Sequence, residues 1–120
     1  MYTIPAADNP NLIYNNTQNG AFMIFDRVAE QVHDIEPYAR DFSGGGVADL
    51  PHPFAWNAGF AVSPQNPLVL YVGANVVFKS EDRGRTWKPI GPDLTLNDKA
   101  KQQASGGPVV KDNPVLQNRW

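Results

Sequence analysis

At 120 residues the chain has room for one small domain and no second independent core. Its 10 Lys and Arg against 12 Asp and Glu leave a net charge of -2, so no basic surface is available to neutralise a phosphate backbone, and no nucleic acid partner is expected. The lack of cysteine removes disulfides and thiolate metal sites, while 18% charged residues, 11 Pro and 10 Gly depart from the average of about 25% charge and about 12% Pro plus Gly, a composition of short strands joined by many turns.

In chain order, the opening MYTIPAADNP has no basic region followed by an apolar run, so it is not a secretory signal as it stands. Strands are predicted at 12–14, 21–25, 31–35, 59–62, 69–72, 76–79 and 86–90, where β-branched and aromatic residues cluster. The separators carry turn chemistry: Asn19-Gly20 supplies the two positive-φ positions of a tight hairpin, and Gly73-Ala74-Asn75 can do the same. Pro, Gly or Asn interrupts nearly every window before helical periodicity develops, and 97–104 is the one plausible helical turn. No stretch approaches the ~18 consecutive apolar residues of a membrane helix, so no membrane segment is expected.

The chain repeats itself. NPNLIYNNTQNGAFMIFDRVAEQVHDIEP (9–37) lies beside NPLVLYVGANVVFKSEDRGRTWKPIGP (66–92), matching Asn9-Pro10 with Asn66-Pro67, Tyr14 with Tyr71 and Asp26-Arg27 with Asp82-Arg83. The offsets are 57 (71 - 14) for the tyrosines and 56 (82 - 26) for the aspartates. Periods of about 40 to 50 residues or slightly more, with four strands each, mark propeller blades. In the second repeat the hairpin turns are expected at 63–67, 73–75 and 82–85.

The last of these turns lies in SEDRGRTW (80–87), a cluster of charge and hydroxyl that invites a catalytic reading. Each residue type has a structural task instead. The Asp82 carboxylate can accept backbone N–H groups across the turn, and Gly84 can take positive φ. Ser80 and Thr86 can pair across the hairpin mouth while Trp87 turns inward. Glycoside hydrolysis would need a second carboxylate about 5 to 9.5 Å from Asp82 across a substrate gap, whereas neighbouring Glu81 points to the opposite face.

The pattern Ser80-x-Asp82-x-Gly84-x-Thr86-Trp87 resembles the Asp-box, or bacterial neuraminidase repeat, of propeller blades in sialidases, sortilin-type receptors and xyloglucan hydrolases. With its flanks, WNAGFAVSPQNPLVLYVGANVVFKSEDRGRTWKPIGPDLTLND (56–98) resembles a blade of the sortilin-like family, in particular large bacterial secreted proteins that often carry glycosyl hydrolase labels. The resemblance implies an all-β chain: about two blades of an antiparallel β-propeller, incomplete as a single chain because rings need about 4 to 8 blades. It divides the sequence into 1–38, the C-terminal part of a degenerate blade; 39–55, a Gly/Pro-rich inter-blade loop; 56–92, a second blade with the Asp-box hairpin; and 93–120, a linker and the start of a third blade. The first repeat departs from the box, with Val28 for the glycine and Gln31 for the tryptophan, and Pro51-His52-Pro53 replaces a basic-aromatic lead into Trp56.

The function implied is a non-catalytic scaffold segment for protein or peptide binding, extracellular or periplasmic, with the remaining blades of a parent chain as partners. The alternatives are a glycoside hydrolase whose catalytic carboxylates lie outside this chain, and a short chain that assembles several copies into one ring. Size exclusion with circular dichroism separates a segment from an assembly. Phe54 and Trp56, beside the Gly-rich loop, are the candidate ligand surface, for a peptide or a carbohydrate, against burial between blades. No cofactor, catalytic residue or metal site is assigned. His33 and His52 lack metal-ligand spacing, and FSGGGVADL (42–50) lacks the ending of a phosphate cradle. Asp93, Asn97 and Asp98 read as caps or turns more readily than as calcium ligands.

Overall fold

The computed structural model describes residues 1–39 and 47–102. They form two four-stranded antiparallel sheets, each a simple meander. The first runs through β1 (Thr3–Pro5), β2 (Leu12–Asn16), β3 (Phe22–Asp26) and β4 (Gln31–Asp34); the second through β5 (Phe60–Val62), β6 (Leu70–Gly73), β7 (Val77–Ser80) and β8 (Lys88–Ile90). The remaining elements are short 3₁₀ turns, including Lys99–Gln102 within the span expected to be helical. The fold is therefore all-β, two blade-like meanders that do not close into a ring. Most of the Gly-rich stretch and the expected start of a third blade lie outside the described residues.

All seven predicted strands form. The eighth, β1, pairs Ile4 with Tyr14 and completes the first sheet. Pro5 obscures it in the sequence, yet a proline is tolerated here because β1 is an edge strand. The repeat is visible in the turns as well. Asn9 Oδ1 accepts the N–H of Asn11 at 3.1 Å and Asn66 Oδ1 that of Leu68 at 3.0 Å. The carbonyls of the same two asparagines accept Leu12 N–H and Val69 N–H, each at 3.0 Å. Asn-Pro thus builds the same first turn in both sheets.

Asn19 and Gly20 take φ of 60° and 72°, as the hairpin requires. Gly73-Ala74-Asn75 does not follow suit: none of the three has positive φ, and Gly73 stays in the ladder opposite Val77. The β6–β7 turn is instead held by Asn75, whose N–H donates to Pro53 O at 3.0 Å and whose carbonyl accepts Leu94 N–H at 2.7 Å. The ladders also refine the repeat. Tyr14 and Tyr71 occupy equivalent places, facing Ile4 and Ala61, but Phe25 matches Ser80, so Asp26 falls one residue short of the Asp82 position.

The sheets pack through a core of Tyr14, Phe22 and Ile24 from the first and Leu70, Val72 and Phe78 from the second, with Phe54 and Ala58 between them. Phe60 sits 5.6 Å from both Tyr14 and Phe22, ring to ring. The two sheets bury opposite faces. In β2 the buried residues Tyr14 and Asn16 turn their amides toward the preceding strand, as Asn16 N–H to Tyr2 O at 3.2 Å shows. In β6 it is the outward residues that do so, as Gly73 N–H to Gly59 O at 2.9 Å shows, while buried Leu70 and Val72 turn theirs toward β7. Along a strand, side-chain side and amide direction alternate together, and in L-residues one fixes the other. Equivalent meanders that bury opposite faces are stacked head to tail rather than by a two-fold axis.

Candidate functional site

The β7–β8 turn builds a hydrogen-bonded clasp from SEDRGRTW. Asp82 Oδ1 accepts Ser80 Oγ–H and Thr86 N–H, both at 2.8 Å, and Oδ2 accepts Thr86 Oγ1–H at 2.6 Å. Ser80 and Thr86 are therefore joined through the carboxylate rather than directly, which corrects the expected pairing. Buried Ser80 uses its oxygen to accept Gly84 N–H at 2.7 Å. Arg83 and Gly84 supply positive φ, 63° and 87°. The Thr86 hydroxyl first, then the Thr86 N–H, hold the Asp82 carboxyl down at about 2 against the opposing effect of desolvation, with Ser80 adding to the depression. A group so placed is ionised at neutral pH and has its lone pairs engaged, so Asp82 is unsuited to general acid work.

The clasp also fastens one sheet to the other. A Cβ on Gly84 would lie 2.8 Å from Ile35 Cβ, because the turn presses against the residue that follows β4. Trp87 Nε1–H donates to Ile35 O at 2.9 Å and shares that proton with Gly84 O at 3.1 Å. Arg83 crosses to the first sheet, donating to Tyr14 Oη at 3.1 Å and pairing with Asp8. Burial pushes the Tyr14 phenol up, while the Arg83 guanidinium holds Asp8 below its usual value. Sequence reasoning missed Arg83: the octapeptide pattern leaves its position unspecified, and its partners lie far back in the chain. In the first sheet, Asp26 Oδ1 caps only Val28 N–H at 2.9 Å and Ala29 N–H at 3.1 Å. A groove of about 760 Å³ beside the clasp is lined by Asp26, Asp34, Glu36, Asp82, Arg83 and Arg85 among others.

The opposite end, where the β2–β3 and β6–β7 turns meet, carries the aromatic candidates. Phe54 is buried at 1% exposure, its ring 5.9 Å from Phe22 and 6.4 Å from Phe78, so it belongs to the core and offers no ligand surface. Trp56 is half-buried, and its carbonyl accepts Asn19 N–H at 3.1 Å from the β2–β3 turn. The β6–β7 turn carries a polar relay that the sequence did not reveal. Asn75 Nδ2 donates to Asp93 Oδ2 at 2.9 Å, which turns Asn75 Oδ1 toward His52 Nδ1 at 3.1 Å. That oxygen can only accept, so His52 carries its proton on Nδ1 and keeps Nε2 as an acceptor in the neutral ring. Asp93 also caps Thr95 N–H at 2.8 Å, and Asp98 caps Ala100 N–H at 3.1 Å, the capping roles expected of them.

His33 is exposed on β4, as a solvated strand histidine would be. Among the described residues no group of three or more His, Asp or Glu is placed to hold a metal ion, and no helix is long and apolar enough to cross a membrane. No family model matches the chain, and no curated protein matches it.

Proposed function

We propose that the chain is a non-catalytic scaffold segment of a sortilin-like, Asp-box β-propeller, two neighbouring blades that take part in protein or peptide binding. The observation that carries this reading is the burial of opposite faces. Head-to-tail stacking is open-ended and continues around a ring, whereas two-fold packing ends with its pair. Both outer faces support continuation, since each keeps apolar residues half-buried at best: Ile13, Met23 and Phe25 on the first sheet, Tyr71 and Val77 on the second. The clasp supports the Asp-box assignment through Asp82, Gly84 and Trp87, which act on the fold and not on a substrate.

The ligand surface in this reading is the end that bears Trp56. A random peptide library and a panel of polysaccharides, each probed with the protein and with Trp56→Ala, test it. The expected result is peptide binding that weakens by about 30-fold or more in the variant, the scale of an aromatic anchor, with the fold retained. Unchanged affinity in Trp56→Ala removes the proposed surface. Hydrolysis of a polysaccharide by a longer chain that contains this segment, lost when a carboxylate pair outside the segment is mutated, favours the glycoside hydrolase alternative.

A further inference from the structure

We infer that the open edge of β4 is a docking surface for an extended, basic segment of a partner protein, which adds to the first sheet as a further strand. The bond from Ile35 N–H to Phe22 O, 2.9 Å long, fixes the phase of β4. Gln31, His33 and Ile35 turn their amides and carbonyls toward β3, so Val32 and Asp34 turn theirs outward. The other three edges are closed to such an addition. In β8 the outward position is Pro89 and in β1 it includes Pro5, neither with an N–H to give, a common protection of sheet edges. In β5 the outward residues Phe60 and Val62 pack against the core. β4 has neither device, and all four of its residues are exposed. Further blades would leave it open, because sheets stack through their faces. The contact already formed demonstrates this: His33 on the receiving face and Pro89 on the entering face both remain exposed although the two sheets are docked.

The chemistry of the edge selects the occupant. Asp34 makes no ion pair among the described residues, and it shares its face of β4 with Val32, 57% exposed. An added strand lays one side chain beside each, which favours a lysine or arginine opposite Asp34 and a β-branched residue opposite Val32. The groove beside the clasp opens along the same edge, lined there by His33, Asp34, Ile35 and Glu36. Carboxylates outnumber arginines in its lining, and Arg83 is already paired with Asp8. The charge therefore attracts a basic segment and repels an acidic one, while the outward N–H and C=O groups supply main-chain bonds to any extended backbone.

The blocked peptide Thr-Lys-Thr-Val-Thr-Lys-Thr is the probe, titrated into the isotope-labelled protein and followed through amide chemical shifts. The Val32 and Asp34 amides should shift and exchange more slowly, with those of β8 unmoved. Asp34→Lys should weaken binding by about 10-fold and transfer it to the same peptide with glutamate for lysine. Val32→Pro removes an outward N–H, leaves the ladder with β3 intact and should weaken binding by about 10-fold or more. Should a variant lose its circular dichroism, methylation of the valine amide in the peptide removes the reciprocal main-chain bond and should weaken binding to the unaltered protein by a similar factor. Shifts confined to another part of the molecule, or affinity indifferent to Asp34→Lys and to the methylation, overturn the inference. So does self-association without peptide that Val32→Pro abolishes, since a second copy would then be the occupant. Trp56→Ala should leave this binding unchanged, so the β4 edge and the proposed Trp56 surface fail separately.

Discussion

Replacing Gly84 by alanine, beside the same change at Gly91, separates two costs that usually come together. Both glycines have left-handed φ, 87° and 82°. An alanine in that region costs about 1 to 2 kcal/mol wherever it stands. Around Gly91 no atom lies within 4 Å of the added Cβ, so Gly91→Ala should cost that amount alone. At Gly84 the Cβ would meet Ile35 Cβ at 2.8 Å, Cδ1 at 3.1 Å and Cγ2 at 3.2 Å, contacts that force the sheets apart or push Ile35 off its rotamer. Overpacking of this kind adds about 1 to 3 kcal/mol, for a total near 2 to 5 kcal/mol. Domains of this size are stable by only about 5 to 15 kcal/mol, so the loss is a large part of the whole. Urea unfolding followed by tryptophan fluorescence measures both variants, and Gly84→Ala should be the less stable by about 1 to 3 kcal/mol. Truncating Ile35 to alanine removes Cδ1 and Cγ2 and should shrink that gap. Equal midpoints for the two glycine variants would refute the close approach of clasp and first sheet.

Trp87→Phe keeps most of the ring but removes the N–H shared by Ile35 O and Gly84 O, and should cost about 1 to 3 kcal/mol of unfolding free energy, read from urea denaturation, the penalty for half-buried carbonyls losing their donor. For Asp82 the folded carboxyl, at about 2, lies below the ordinary 3.8. Depression of this sign gives stability that is present above about pH 4 and lost as pH falls toward 2. Midpoints measured from pH 6 to 2 should therefore drop through that window, and Asp82→Asn should flatten the drop; an identical acid limb in the variant would contradict the clasp geometry.

The parts of the fold legible in the sequence are those set by local chemistry. Asn9-Pro10 and Asn66-Pro67 announce identical turns because an asparagine side chain and carbonyl cap the next residues whatever surrounds them. Asn19-Gly20 announces a hairpin because few other pairs tolerate two positive φ values. Legibility ends where partners are distant. Nothing in the order of residues says that Arg83 reaches Asp8 and Tyr14, or that Asn75 orients His52 by donating to Asp93. β1 is illegible for another reason, since three residues ending in proline become a strand only because a pre-formed β2 offers them a ladder. Phe54 and Trp56 look alike in sequence, yet one fills the core and the other reaches the surface, a distinction made by the packing of Phe22 and Phe78 around Phe54.

Head-to-tail order also explains why one turn carries the whole clasp. The second sheet docks on the one before it, and the β7–β8 turn supplies a fastener pointing that way: Gly84 allows contact with Ile35, Trp87 bonds its carbonyl and Arg83 anchors Tyr14. The matching turn of the first sheet, with Asp26, Val28 and Gln31, keeps an aspartate that caps its own backbone while lacking the glycine and the tryptophan that reach outward. Closing a hairpin takes one carboxylate; holding a neighbour takes the rest of the octapeptide. The two repeats thus divide the motif into a part that serves the turn and a part that serves the interface. The second part follows the sheet that the structure shows to be docked.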